Sequence, residues 1–226
     1  MNQVHVIYGS EASVLTSYLE EIQGTVFRIY NNKKPIIKPS CIDLKIDEFE
    51  ERFNVFCNNN KVNDIIFIGA AFSNQSNLFL NESIESLTAQ LKTNITNYVI
   101  LANILLPLMI ARGYGRFIFL SSFRAEVVTR GTSIYSSSKS FGETFFKTLG
   151  VENGAFGIST TSIQMGYFDG KMLSKLSSDQ SGKIRRSIGT RRLGTPKDLS
   201  AAIKFCIEND YLNGGKMDIN GGISHS

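Results

Sequence analysis

A chain of 226 residues with 42% apolar and 19% charged residues is long enough for one substantial core and too apolar to be disordered. Much of its net charge of +4 gathers between Lys171 and Lys197, without the interleaved aromatics of a base-stacking surface, so nucleic acid is not an expected partner. No basic-then-apolar leader opens the sequence, and apolar stretches such as Tyr98 to Ala111 are interrupted by Asn103 and Pro107, so neither secretion nor a membrane span is expected.

Val4 to Tyr8 is a short β-rich run ending at Gly9, after which Val14, Leu15, Tyr18, Leu19 and Ile22 recur at helical spacing. Thr25 to Tyr30 predicts a second strand, and Cys41 to Leu44 the end of a third. The intervening Asn31 to Ser40 is short for a crossover between parallel strands, so any helix there is reduced or absent. Asp47 to Phe56 has helical periodicity, with Phe49, Phe53 and Phe56 on one face. Asp64 to Ile68 is almost wholly apolar, the pattern of a strand covered on both faces. A long helix is expected from about Ser86 to Ala111, stopped by Gly113 and Gly115. Arg116 to Leu120 is another buried strand, Thr132 to Leu149 a helix, and Ile158 to Ile163 a strand. Pro196 opens a helix to about Ile207, and Lys216 to Ile219 closes the series as a strand. Strands alternating with helices predict an α/β fold: one domain over residues 1–226, three layers thick, with a doubly wound, mostly parallel, Rossmann-like sheet.

Cys41, Cys57 and Cys206 are scattered and match no zinc spacing; they read as core thiols of a reducing, cytoplasmic compartment. With only His5 and His225 available, neither a histidine triad nor a metal site is expected.

In doubly wound sheets ligands bind at the carboxyl ends of strands, where Gly9-Ser10, Asp43, Gly69-Ala70, Ser121-Ser122 and Met165-Gly166 fall. Tyr135 and Lys139 lie four residues apart on a helix, hence on one face. An ammonium beside a phenol favours the phenolate, and a phenol so tuned can exchange a proton with an alcohol oxygen. The pair also reads as an exposed helix pair. Ser122 reads as a donor to a substrate oxygen or as a strand-end cap; Asn94, inside an apolar helix, as a holder of a relay water or as a satisfied core amide.

Asn94, Ser122, Tyr135 and Lys139 resemble, in order and spacing, the catalytic tetrad of the short-chain dehydrogenase/reductase family. Gly115 to Ser122, Arg192-Leu193-Gly194-Thr195-Pro196-Lys197-Asp198 and Gly214 to Gly222 resemble that family's serine strand, R-x-G-x-P-x-[DE] segment and terminal strand with diglycine. The resemblance implies a nicotinamide-dependent oxidoreductase interconverting a carbonyl and a secondary alcohol. Tyr135 would be the general acid/base; Lys139 would hold the nicotinamide ribose and depress the phenol; Ser122 would orient the substrate oxygen; Asn94 would place a relay water. Cofactor contacts would come from Gly9, Ser10, Ser13, Asn31, Lys33, Asp43, Leu44, Gly69, Ala70, Tyr135, Lys139, Met165 and Gly166, and substrate contacts from Phe123, Arg124, Tyr167 and Phe168.

The sequence departs from that family in two loops. Its phosphate loop, T-G-x-x-x-G-x-G, is here Tyr8 to Leu15, with Ser13 and Leu15 in place of two glycines; its N-N-A-G is Ile68-Gly69-Ala70-Ala71. Tyr30 and Asn31 end the second strand without an acid and are followed by Lys33 and Lys34, which favours NADP(H) over NAD(H). Residues 170–190 resemble a mobile substrate lid, and Lys175, Lys183, Arg185 and Arg186 within it suit a small anionic, phosphorylated or carrier-linked substrate. By resemblance, helices around 90–112 and 135–150 would pair in a homodimer or homotetramer. The thinned glycine loop keeps a second reading open, that of a non-catalytic relative acting as a binding or assembly partner.

Overall fold

The computed structural model describes residues 3–9, 13–30, 41–73, 77–169 and 177–223, apart from the side chains of Cys41, Asp43 and Ser178. Seven strands form one parallel sheet: β1 (Gln3–Tyr8), β2 (Thr25–Tyr30), β3 (Cys41–Lys45), β4 (Asp64–Gly69), β5 (Gly115–Ser122), β6 (Ile158–Met165) and β7 (Gly215–Ile219). Their order is β3-β2-β1-β4-β5-β6-β7, so the winding reverses between β1 and β4. Helices α2 (Ile46–Asn59), α4 (Asn97–Ile110) and α5 (Ser133–Asn153) pack on one face, α1 (Thr16–Glu21) and α7 (Pro196–Glu208) on the other. This is the expected three-layered, doubly wound architecture.

Strand alternation divides the core in two. Val4, Val6, Phe67, Phe117 and Phe119 meet α2, α4 and α5, whereas Ile7, Ile66, Ile68, Ile118 and Leu120 meet α1 and α7. Phe146 of α5 is enclosed by the rings of Phe67, Phe117, Phe119 and Tyr98 at centroid distances of 5.3–6.3 Å. β6 differs from its neighbours: Ser159, Thr160, Thr161, Ser162 and Gln164 are buried polar residues. Such groups need partners, and Thr160 Oγ1 donates to the Phe146 carbonyl at 2.7 Å, tying the strand to α5.

The long central helix expected from about Ser86 to Ala111 is present. α3 (Ile84–Leu91) continues through a π-helical turn, Lys92–Thr96, into α4. Pro107 lies inside it without breaking it. The resulting Ile84–Ile110 helix, 27 residues, is long and apolar enough by composition to cross a bilayer. Its inner face, Tyr98, Leu101, Leu105 and Met109, is fully packed into the core on the sheet, which accounts for its apolar composition. A further helix, α6 (Ser178–Ser187), occupies part of the expected lid; it carries a Ser177–Gln180 capping box and sets Ile184 against Phe123, Ile188, Leu193 and Ile223.

His5 on β1 is only 3% exposed, with Nδ1 paired to the Tyr18 hydroxyl at 2.8 Å and Nε2 to Gln3 Oε1 at 3.0 Å. Burial pushes its imidazole down to about 4 from 6.5. The unfolded chain therefore takes up a proton that the native chain refuses. This contribution to stability is complete above about pH 6.5 and is lost as pH falls toward about 4. Urea midpoints are expected to fall more steeply through this window in the parent than in a His5→Gln variant; equal slopes would refute the assignment.

Candidate active site

β5 ends in Ser121-Ser122, and a 3₁₀ turn, Phe123–Ala125, follows at once. Ser122 Oγ caps that turn by accepting from the Arg124 backbone N–H at 3.2 Å. The Ser122 hydroxyl also acts on the Tyr135 phenol, so the strand tip and the first turn of α5 stand close to each other. One turn later on the same helical face is Lys139, 3% exposed. Its Nζ donates to the Leu120 carbonyl at 2.7 Å and stands 4.8, 5.5 and 5.9 Å from the ring centroids of Phe119, Phe72 and Tyr135.

Burial raises the Tyr135 phenol above its ordinary 10, while the Ser122 hydroxyl and the Arg124 guanidinium pull it back in part. Burial also pushes Lys139 down to about 7, against the opposing attraction of Glu143. The expected depression of the phenol by Lys139 is therefore not what this arrangement shows. The lysine is itself drawn toward neutrality, and Arg124 is the cation that acts on Tyr135. A phenol held in its protonated form near neutral pH is suited to donating a proton.

A family model described as enoyl-(acyl carrier protein) reductase matches residues 45–224. The chain belongs to the short-chain dehydrogenase/reductase family. It is 31% identical over 117 residues to the acetoacetyl-CoA reductase of Allochromatium vinosum, a stretch covering 51% of this chain and 48% of that protein. It is 28% identical over 160 residues to the 3-oxoacyl-(acyl-carrier-protein) reductase FabG of Haemophilus influenzae, covering 70% of this chain and 66% of that protein. The chain thus matches about half to two thirds of the length of these curated relatives. The solved structure of ElxO with NADP bound superposes with a TM-score of 0.84 at 16% identity, covering 98% of each chain, which speaks for the fold alone.

The other residues expected at the site of this short-chain dehydrogenase/reductase divide into those at the crevice and those turned inward. Asn94 lies in the π-helical turn, where its Oδ1 accepts from the Ser73 backbone N–H (2.7 Å) and its Nδ2 donates to the Ser73 carbonyl (2.9 Å). The amide thus clamps the loop after β4, as a satisfied core amide would. Arg124 donates to the Tyr167 hydroxyl at 3.1 Å and to Thr129 Oγ1 at 2.7 Å, and its guanidinium also acts on the Tyr135 phenol. Phe123 and Phe168, expected as substrate contacts, are instead buried: Phe123 in the cluster under α6, Phe168 against Gly194 and α7. Leu44, expected against the cofactor, has its side chain fully enclosed in the core. Ser10, Asn31, Lys33 and lid residues 170–176 lie outside the described residues.

The strand tips fit a nicotinamide dinucleotide in their donor chemistry. Lys139 gives one of its three N–H groups to Leu120 and keeps two; Ser122 and Tyr135 add hydroxyls at the same edge. Gly9 turns at φ +83°, and a Cβ there would stand 2.3 Å from the Ala71 backbone nitrogen. Only glycine lets the tips of β1 and β4 close together at the switch point. Leu15, which replaces the family's third glycine, is fully buried between α1 and the sheet, so that position has become core rather than phosphate cradle. Met165 is half-buried, and Gly166 ends β6 with its N–H donating to Ile219 O at 3.0 Å. Gly69 and Ala70 at the end of β4 are buried.

Phe72 is a site residue that sequence reasoning passed over. It is 39% exposed, lies edge-on to Tyr135 at 6.0 Å and covers Lys139. The available signal was an aromatic directly after the small residues that end β4.

Proposed function

We propose that this chain is an NADP(H)-dependent oxidoreductase that interconverts a carbonyl and a secondary alcohol on a small anionic or carrier-linked substrate. The observation that carries the reading is the meeting of Ser122, Tyr135 and Lys139 at the tip of β5, with the Ser122 hydroxyl acting on the phenol and the buried lysine one helical turn behind. A bound nicotinamide supplies the hydride chemistry. Tyr135 donates its phenolic proton to the carbonyl oxygen in reduction and recovers it in oxidation. Ser122 hydrogen-bonds the same oxygen and fixes its position. Lys139 keeps donors for ribose hydroxyls while its Nζ is anchored on Leu120. Arg124, already acting on the phenol, offers a guanidinium to an anionic group close to the reacting carbonyl.

The preference for NADP(H) is supported by Lys33 and Lys34 following β2 with no acid at Tyr30 or Asn31. The scattered thiols and the reductase names of the relatives support a cytoplasmic setting. Exposed Ile84, Leu91, Val99, Ile100 and Phe141 along α3, α4 and α5 support pairing with a second copy; sedimentation showing a single folded copy would refute it.

Fluorescence titration is expected to show NADPH binding about tenfold more tightly than NADH, the worth of one well-placed phosphate contact. NADPH consumption is expected with acetoacetyl-CoA or another 3-oxoacyl thioester. Failure of both cofactors to bind at millimolar concentration would overturn the reading.

A further inference from the structure

Glu143 stands one helical turn beyond Lys139 on α5 and two beyond Tyr135, so the three side chains share one face of the helix. That face lies on β5 and β6. In the register of those strands Ser121 pairs directly with Gln164, and both are buried, at 4% and 1% exposure. Burying a hydroxyl and an amide is costly unless each is bonded. Here both converge on one atom: Ser121 Oγ donates to Glu143 Oε1 at 2.5 Å, and Gln164 Nε2 donates to the same oxygen at 3.3 Å. The sheet thus holds the Glu143 carboxyl group against α5, beside the strand residue whose carbonyl holds Lys139.

We propose that Glu143 is a positioning residue of the Tyr135–Lys139 pair: its carboxyl group, clamped by Ser121 and Gln164 next to the Leu120 carbonyl that holds Lys139 Nζ, favours a cation in that otherwise apolar seat. The inference rests on the carbonyl–alcohol reading for its significance but not for its test.

The seat of Lys139 is otherwise a poor one for charge, made of the Leu120 carbonyl and the rings of Phe119, Phe72 and Tyr135. Burial draws its ammonium toward neutrality, and Glu143 is the group that opposes this. Among the described residues, the other charged and titratable groups around the pair bear on Tyr135 or Glu143. Lys216 of β7 acts on Glu143, Arg124 from the turn after β5 acts on Tyr135, and Tyr98 of α4 is a buried neutral phenol. A substrate oxygen or ribose meeting Lys139 therefore meets a group whose positive charge Glu143 favours from one turn further along the same helical face.

The test follows Lys139 in the cofactor-free protein by NMR of ¹³Cε-labelled lysine, assigned with Lys139→Met. Glu143→Gln keeps the side-chain shape and removes the charge. Its Lys139 titration is expected about one pH unit lower than in the parent, a tenfold loss of ammonium. Glu143→Asp is expected to recover part of the difference. Ser121→Ala keeps the charge but removes one clamp bond, and its shift is expected to be about half as large. In turnover, the alkaline limb of kcat moves to lower pH in Glu143→Gln while KM for the carbonyl substrate stays near the parent value. An unmoved Lys139 titration in Glu143→Gln overturns the inference. If that variant does not fold, an unmoved titration in Ser121→Ala does so. A moved titration in a protein that binds neither NADPH nor NADH upholds the Glu143–Lys139 coupling and defeats the proposed function, so the two failures are distinct.

Discussion

Tyr135→Phe is expected to lower kcat for carbonyl reduction by about 10²- to 10⁴-fold, the range associated with losing a general acid. The substitution removes one oxygen and leaves the ring, which lies edge-on to Phe72 at 6.0 Å over the α5 face. The packing therefore survives. The Ser122 hydroxyl keeps the Arg124 backbone N–H. Thermal midpoints of parent and variant are expected within a few degrees, as for a substitution that opens no cavity. NADPH affinity should change little, because the ribose donors come from Lys139. Because burial holds the phenol above its ordinary range, the reductive direction should stay active through neutral pH, whereas alcohol oxidation, which needs the phenolate, should rise as pH increases. Steady-state rates in both directions, with a melting curve on the same samples, check all three points. A variant that turns over at the parent rate would remove Tyr135 from the mechanism.

Much of this arrangement is legible in the chain because its signals are local. The apolar runs of β4 and β5 announce strands covered on both faces, and Tyr135 and Lys139 fall on one helical face by spacing alone. Glu143 continues the same four-residue step, so the stripe could have been extended by one more residue. The clamp beneath it could not have been found that way, because it depends on Ser121 of β5 being registered with Gln164 of β6, which is a property of strand pairing. Asn94 is similar: its partner, Ser73, is 21 residues away in a loop, and its choice between water relay and loop clamp is decided by that loop's path. The R-x-G-x-P-x-D segment was legible as a motif but not as a device. In the structure Arg192 grips Asp198 through two contacts of 2.7 and 3.0 Å, and Asp198 and Thr195 cap α7. Phe123 and Phe168 misled because they flank strand ends, where binding residues are sought; large rings at such places are equally good plugs.

Phe146→Ala is expected to carry the largest stability cost of any change on α5, about 3–5 kcal/mol, the usual range for removing a fully enclosed phenylalanine. Phe146 is the knob by which α5 sits on the sheet. Besides Phe67, Tyr98, Phe117 and Phe119, its ring contacts Phe145 at 5.2 Å. At Gly142, one turn nearer the site, a Cβ would lie 2.3 Å from the Phe119 ring, so helix and sheet have no slack there. A cavity at Phe146 cannot be closed by the helix settling inward, because that contact already touches. The lost volume therefore remains largely empty, which places the cost toward the upper end of the range. For a domain of this size the melting temperature should fall on the order of 10 °C. Phe146→Leu, which refills part of the space, should fall by less than half as much. The consequence reaches the chemistry through the same helix. Tyr135 and Lys139 are two to three turns toward its amino terminus, and their alignment with Ser122 depends on α5 being seated. Below its melting temperature Phe146→Ala should keep most of its kcat while losing it at a lower temperature than the parent, the opposite of the pattern expected for Tyr135→Phe. A urea midpoint for Phe146→Ala equal to that of the parent would show that α5 is held by something other than this ring cluster.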